Sequence, residues 1–442
     1  MANIQPFRGL RYNAERVGDI SLVISPPYDV ISPEEQQFYY QQSLYNVVRI
    51  EFGEEYPFDS LENNKYTRAA NTLKRWLEEG ILFHEPCPAF YIFEHRFAHH
   101  GIIKHRWGLT ARVRLENQGS GRAYPHETTL EGRIWDRLNL LRSCRVNPSP
   151  ILGMVRKGLL PLLSQLTRGD PDLNVTDRYG VTHNMWVVTD KQSIAEVSAW
   201  GADKILYIAD GHHRYEAALA YQREQRTACS SYNGNEVFDF VMITLTDAED
   251  PGVITLPTHR LVRLPEPRSL TWLRKKLRLF FDLEELNPAG ATLPGIIKVG
   301  RETLEEGNKK GIAIGLYGLN KQRLCLLTPR ERATLQGLLP SNHSQDWKDL
   351  NVTLLHYVIL PQIIGIDTPQ KEENCLGYTH DAQEAINRVD SGEYQLAFLM
   401  NPVSIPSVLT VADAGDRMPP KSTYFYPKLP TGLVMYPLWG EG

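Results

Sequence analysis

The apolar run Ile205-Leu206-Tyr207-Ile208 passes through Ala209-Asp210-Gly211 straight into a stretch where Tyr215, Ala218 and Leu219 recur at i, i+3 and i+4. A short apolar run bounded by a turn reads as a buried strand, and the three-and-four spacing reads as one face of a helix starting near His212. Glycine joins them because it adopts any φ without steric cost. The chain is thereby committed to a strand–turn–helix unit. The first N–H groups of the helix, the positive end of its dipole, face the turn.

The flanking sequence carries the same mixture of periods. Met185 to Thr189 and Lys204 to Ile208 are expected as buried strands around a helix at Ser193 to Trp200, with Phe238 to Thr246 as a further strand. Upstream, Tyr66, Ala70, Leu73, Trp76 and Leu77 place an amphipathic helix over Asn63 to Glu79. Ala89 to Phe97 and Ile103 to Leu115, joined by His99-His100-Gly101, read as an antiparallel hairpin. A helix follows from Thr129 to Ser143, capped by Thr128 or Thr129.

The pattern breaks at Leu264-Pro265-Glu266-Pro267. Beyond it come a basic amphipathic helix (Leu270 to Phe280) and strands at Gly311 to Tyr317 and Gln322 to Leu327. Helices at Lys348 to Ile363 and Thr379 to Val389 and a strand at Tyr394 to Met400 complete the pattern. At 442 residues the chain exceeds what one core usually holds. The fold class is therefore α/β (mixed α+β), with one domain over residues 1–265 and a second α/β domain over 266–442.

Composition removes several classes. A net charge of −4 supplies no global basic field, so no nucleic acid is expected as a partner. No segment reaches about 18 uninterrupted apolar residues and the first eleven residues lack a signal-type core, so a cytoplasmic chain with no membrane partner is expected. The five cysteines are scattered without a CxxC pair, as reduced thiols would be. GxxxxGK[ST], GxGxxG and GxSxG are all missing, which takes away the usual support for Walker, Rossmann and serine-hydrolase chemistry. His99, His100 and His105 lack a partner at ligand spacing, so no metal is expected there.

Six segments concentrate reactive side chains. Asp210-Gly211-His212-His213-Arg214 sets two imidazoles and a guanidinium at a helix N-terminus, where phosphate oxygens are favoured. Asp210 is suited to hold Mg²⁺ bridging those phosphates. A capped helix with a satisfied histidine pair is the plain alternative; five such residues in a row after a strand favour the anion site. Pro125-His126-Glu127 offers a general base, although from these residues alone a helix entry with Glu127 complementing the dipole is the better reading. In Met418-Pro419-Pro420-Lys421-Ser422-Thr423, Lys421, Ser422 and Thr423 can bind phosphate or carboxylate, or form an ordinary loop. Pro26-Pro27-Tyr28-Asp29 and Asn147-Pro148-Ser149-Pro150 read as structural turns, and Thr258-His259-Arg260 as a strand end.

The Asp210 to Arg214 box resembles that of the ParB/sulfiredoxin superfamily, and more closely that of its free-serine kinases. Pro125-His126-Glu127 is similar to the kinases' Pro-His-Glu segment, and Pro420-Lys421-Ser422-Thr423 to their Pro-Lys-Thr-Thr segment, in the same order. The whole chain also resembles a large, poorly characterised prokaryotic family sharing these boxes and Pro-Pro-Tyr-Asp. It departs from a minimal serine kinase by its length and by extra sequence between Glu127 and Asp210. Sulfiredoxin needs a cysteine where this chain has His212, and no helix-turn-helix of the clamp-forming relatives is found.

The resemblance implies a ParB/sulfiredoxin-like core and a kinase that phosphorylates the hydroxyl of a small amino acid, free L-serine foremost, with ADP or ATP and Mg²⁺. It gives Glu127, His213 and Arg214 catalytic roles, Asp210, Gly211, His212, His213 and Arg214 the nucleotide, and Asp210 the metal. Lys421, Ser422, Thr423 and His126 then hold the substrate. A phosphatase acting on phosphoserine or a nucleotide, and a nucleotide-binding regulator without turnover, are the alternatives. The expected partners are an amino acid and a nucleotide, and a homo-oligomer is compatible with the sequence.

Overall fold

The structure is a computed structural model that describes residues 3–116, 123–266, 269–286 and 293–439. The described residues fall into two units, each built on its own sheet. The first comprises Met1–Pro125, Thr129–Ile254 and Phe425–Gly442, the second His126–Thr128 and Thr255–Tyr424.

The sheet of the first unit contains β1 (Ile4–Gln5), β2 (Phe90–His99), β3 (Ile102–Arg114), β4 (Ala123–Pro125), β5 (Ile151–Val155), β6 (Leu173–Thr176), β7 (Thr182–Val188), β8 (Leu206–Asp210) and β9 (Phe240–Asp247). Their spatial order is β4-β8-β5-β9-β3-β2-β7-β6, with β1 also paired to β3. The expected hairpin is β2–β3. His100 and Gly101 both take positive φ at its tip, the geometry that matches the right-handed twist of the paired strands. Parallel pairs (β4 with β8, β5 with β9) alternate with antiparallel ones, so the sheet is mixed.

Helices α1 (Lys65–Glu78), α2 (Glu131–Cys144) and α3 (His212–Ala228) pack in series, α1 on α2 and α2 on α3. Asn64 caps α1 by accepting from the Tyr66 and Thr67 amides, and Ala69, Leu73 and Trp76 are its buried face. The α2 cap differs from expectation. Leu130 is the N-cap residue and offers no side-chain acceptor, while the Thr128 hydroxyl and amide both donate to the Met418 carbonyl. The threonine is thus drawn into a tertiary pairing instead of a local one.

The second unit carries β10 (His259–Val262), β11 (Phe281–Glu285), β12 (Ile314–Pro329), β13 (Leu376–Thr379) and β14 (Leu396–Leu399), in the order β11-β12-β14-β10-β13 and antiparallel throughout. The strands expected at Gly311 to Tyr317 and Gln322 to Leu327 are one strand, β12. Gly315 to Tyr317 pair with β14 and Cys325 to Pro329 with β11, and between the two paired stretches Gly318 takes φ 92°. The helix expected from Lys348 to Ile363 is α-helical over Asn351–Leu354 and π-helical over Leu355–Ile364, with Pro361 inside.

The units divide at Ile254/Thr255 and not after Pro265, because β10 is already paired within the second sheet before Leu264 to Glu266 are reached. Pro267 lies outside the described residues. The last segment rejoins the first unit, where Tyr436 pairs with Asn147 and Met435 with Leu10.

Candidate functional site

Strand β8 ends in a bulge. Ile208 faces Gly153 and Asp210 faces Leu152, which leaves Ala209 as the extra residue and re-aims the Asp210 carboxylate. Gly211 then takes φ 88° and ψ 29°, the left-handed region, and α3 starts at His212. A Cβ at Gly211 would stand 2.9 Å from Arg214 Nη2, so the φ asks for glycine and any other residue would also push the end of the Arg214 side chain aside. Leu206 to Ala209 and Tyr215, Ala217, Ala218 and Leu219 are buried on either side, which fixes the turn between two packed elements. The expected strand–turn–helix is therefore present at the expected residues.

Around this turn stand three cations. Lys428 Nζ is 2.9 Å from Asp210 Oδ1, and Arg214 Nη2 is 3.5 Å from Asp210 Oδ2. Arg106 is fully buried, and its pKa is lowered to about 10, burial outweighing the upward pull of Asp250 and then Asp210. Its Nη1 donates to the carbonyl of Pro427 at 2.7 Å. His212 is buried, and His213 Nε2 accepts the Leu130 amide at 3.0 Å, so this imidazole nitrogen carries no proton and anchors the entry of α2.

Arg214 turns its Nη1 inward, to Ser149 Oγ at 3.0 Å and the Pro150 carbonyl at 2.6 Å. Its Nη1 is thus engaged by protein acceptors, whereas its buried Nε has none among the described residues. Ser149 in turn donates to Glu51 Oε1 at 2.9 Å. Burial raises the Glu51 carboxyl, opposed by Arg137 and Arg214. Arg137 lies 3.8 Å from the Tyr28 ring centroid and gives Nη1 to the Glu51 carbonyl. A cavity of about 30 Å³, room for a water or two, is lined by Glu51, Arg137, Asn147, Ser149 and Arg214. Both turns that the sequence offers as merely structural, Pro26 to Asp29 and Asn147 to Pro150, thus reach the arginine of the box, directly or through Arg137 and Glu51.

The other two boxes meet inside the second unit. Glu127 Oε1 accepts the Lys421 amide at 3.1 Å, and Thr423 Oγ1 lies 3.5 Å from Oε2. His126 is wholly buried, with Nε2 3.0 Å from Thr423 Oγ1. Lys421 takes φ 59°, costly for a side-chain-bearing residue. It is held there by Glu127 on its amide and by Arg260, which donates Nη2 to its carbonyl at 3.0 Å. Ser422 Oγ donates to Pro419 O. Arg260 is buried and lowered by desolvation, with Tyr378 and Glu127 acting the other way.

Lys428, Arg106, Glu51 and Arg137 are absent from the sequence reading, and Arg260 enters it only as part of a strand end. Each reaches its place through long-range pairing, Lys428 across 218 residues, and nothing in the local spacing marks it.

The surroundings of Asp210 do not fit Mg²⁺. Its carboxylate is flanked by an ammonium and a guanidinium, and among the described residues no group of three or more His, Cys, Asp or Glu side chains is placed to hold a metal ion. Cations gathered at a helix N-terminus suit an anion instead.

What fold and site define is a mixed α/β protein with a cationic strand–turn–helix cradle. The chain belongs to the family described as "Protein of unknown function (DUF1015)", whose model matches residues 4–353. No curated protein matches it. Among solved structures it is similar to a conserved hypothetical protein from Pyrococcus furiosus at 15% identity, covering 70% of this chain and 90% of that one, TM-score 0.33. A free serine kinase in complex with AMP matches at 14% identity, over 69% and 83% of the two chains, TM-score 0.33. SbnI with a C-terminal truncation from Staphylococcus aureus matches at 12% identity, over 74% and 87%, TM-score 0.33.

Proposed function

We propose that this protein is a nucleotide-dependent phosphotransferase acting on the hydroxyl of a small amino acid, with free L-serine as the foremost acceptor and ADP or ATP as donor. The observation that carries the reading is the cluster of Lys428, Arg214 and Arg106 about Asp210 at the N-terminus of a 17-residue helix. Such a cluster gives phosphate oxygens both oriented N–H groups and positive charge.

The reading assigns the nucleotide phosphates to residues 210–214 and the acceptor to His126, Lys421, Ser422 and Thr423. The acceptor hydroxyl oxygen bonds to the terminal phosphorus of the donor as the P–O bond to the nucleotide breaks. The products are the phosphorylated amino acid and AMP or ADP. Glu127 takes the hydroxyl proton. A carboxylate suffices because in a loose transition state the proton leaves after the P–O bond has begun to form. The helix N-terminus, His213 and the charge of Arg214 stabilise the transferring group.

Incubation with serine and either ADP or ATP, scored for phosphoserine, tests the proposal. Phosphate release from phosphoserine without nucleotide would instead support the phosphatase reading. Nucleotide-induced thermal stabilisation without any product would support a binding regulator.

A further inference from the structure

We propose that Lys428 is a phosphate-binding residue of the turn at Asp210 to Arg214. The inference rests on the phosphate reading above and extends it to a side chain outside every motif in the sequence.

A surface lysine paired to an aspartate usually keeps its stem in water and contributes little. Lys428 does not behave this way. Its side chain is 10% exposed and Nζ is 2.9 Å from Asp210 Oδ1, so a strongly hydrated ammonium has been brought out of water at the mouth of a helix. Asp210 is shared with Arg214, and Arg106 is drawn to both Asp210 and Asp250. Among these five groups three are cationic and two anionic, and the excess is positive at the point where the dipole of α3 is also positive.

The backbone beneath Lys428 is fixed rather than loose. The Pro427 carbonyl accepts Arg106 Nη1 at 2.7 Å, and Arg106 itself is wholly buried in β3. In the same cluster the Nη2 of wholly buried Arg106 and the Nε of Arg214 find no hydrogen-bond partner among the described residues. A phosphate oxygen beside Asp210 would be met by a point charge already desolvated and already positioned, as the lysine of phosphate-binding loops meets its ligand. In this arrangement Asp210 serves as the acceptor that aims Lys428.

The test is isothermal titration of the full-length protein with ADP and, separately, inorganic pyrophosphate. It compares wild type with Lys428→Met, Lys428→Gln and the exposed control Lys74→Met. Loss of one charge-assisted bond is expected to weaken binding about 10- to 100-fold in both Lys428 variants and to leave Lys74→Met unchanged. In unmutated protein, pyrophosphate is expected to slow acetylation of Lys428 but not of Lys74. That measurement stands even if the variants fail to fold. Affinity within twofold of wild type in Lys428→Gln, or acetylation of Lys428 unaffected by bound pyrophosphate, overturns the assignment and leaves the phosphate reading intact. Wild-type protein that binds neither ligand overturns both.

Discussion

The Lys421 amide donates to Glu127 Oε1 at 3.1 Å across 294 residues of sequence, so backbone as well as the nearby charge of Arg260 sets the carboxylate in place. A glutamine at 127 retains an oxygen for that amide and loses the capacity to take a proton. Glu127→Gln is expected to keep the wild-type melting temperature within a few degrees and to lower kcat for phosphoserine formation about 10²- to 10⁴-fold. Steady-state rates with serine and each nucleotide check this, and undiminished turnover removes Glu127 from the chemistry.

Gly211 and Gly132 make opposite predictions for the same substitution. At Gly211 an alanine meets both a φ of 88° and Arg214 Nη2 at 2.9 Å, and a cost of about 1–3 kcal/mol is expected together with weakened nucleotide binding. Gly132 lies in the exposed first turn of α2 with nothing within 4 Å of the point a Cβ would occupy, so Gly132→Ala is expected to be neutral or to stabilise by up to about 1 kcal/mol. Urea midpoints of the two variants decide it. A Gly211→Ala protein as stable as wild type would show that the turn does not need glycine.

The Asp210 to Arg214 turn is legible in the sequence because everything that makes it is local: an apolar run, a glycine and a helical period within fifteen residues or so. The hairpin at His99 to Gly101 and the Asn64-capped helix are legible for the same reason. What surrounds the turn is not. Tyr28 to Val30 do form a short turn after Pro27, as two prolines require, yet nothing in that segment announces that Tyr28 will stack on Arg137. Asn147 to Pro150 read as a turn, yet Asn147 pairs in a strand with Tyr436, and Ser149 and Pro150 receive Arg214. A cap is the nearest use for the Thr128 hydroxyl, but a carbonyl 290 residues away takes it instead. Long strands suffer similarly, since Gly311 to Tyr317 and Gln322 to Leu327 read as separate strands until the two partners of β12 are known.

Glu51 supplies a pH dependence of one sign. Burial raises its folded-state carboxyl above the ordinary value, against the pull of Arg137 and Arg214. Between the unfolded and folded values the native state holds the proton more tightly, so stability is fully present below the ordinary carboxylate range and is lost as pH rises through the folded value. Glu51→Gln keeps an acceptor for Ser149 and cannot ionise. The stability difference between wild type and Glu51→Gln is expected to shift toward the variant from pH 4 to pH 8 in urea titrations. Parallel profiles would mean that Glu51 is not strained by burial.

Two histidines of the second unit supply the opposite sign. Burial lowers His259 to about 3, helped by His380 and Arg260, and lowers His356 to about 4, helped by Arg260. Unfolded imidazoles titrate near 6.5, so on acidification the unfolded chain takes up these protons first. The stability they protect is present above that value and is lost as pH falls, through about 4 for His356 and about 3 for His259. Each contributes roughly 1.4 kcal/mol per pH unit at its steepest. Because the chain has two units, a global melt would blur the effect, and hydrogen exchange in the β10 to β14 peptides reads it directly. Between pH 6 and 4.5 the opening of these strands is expected to take up about two protons in wild type and about one in His356→Gln. Identical slopes in the two proteins would show that His356 is protonated as readily in the folded unit as in water.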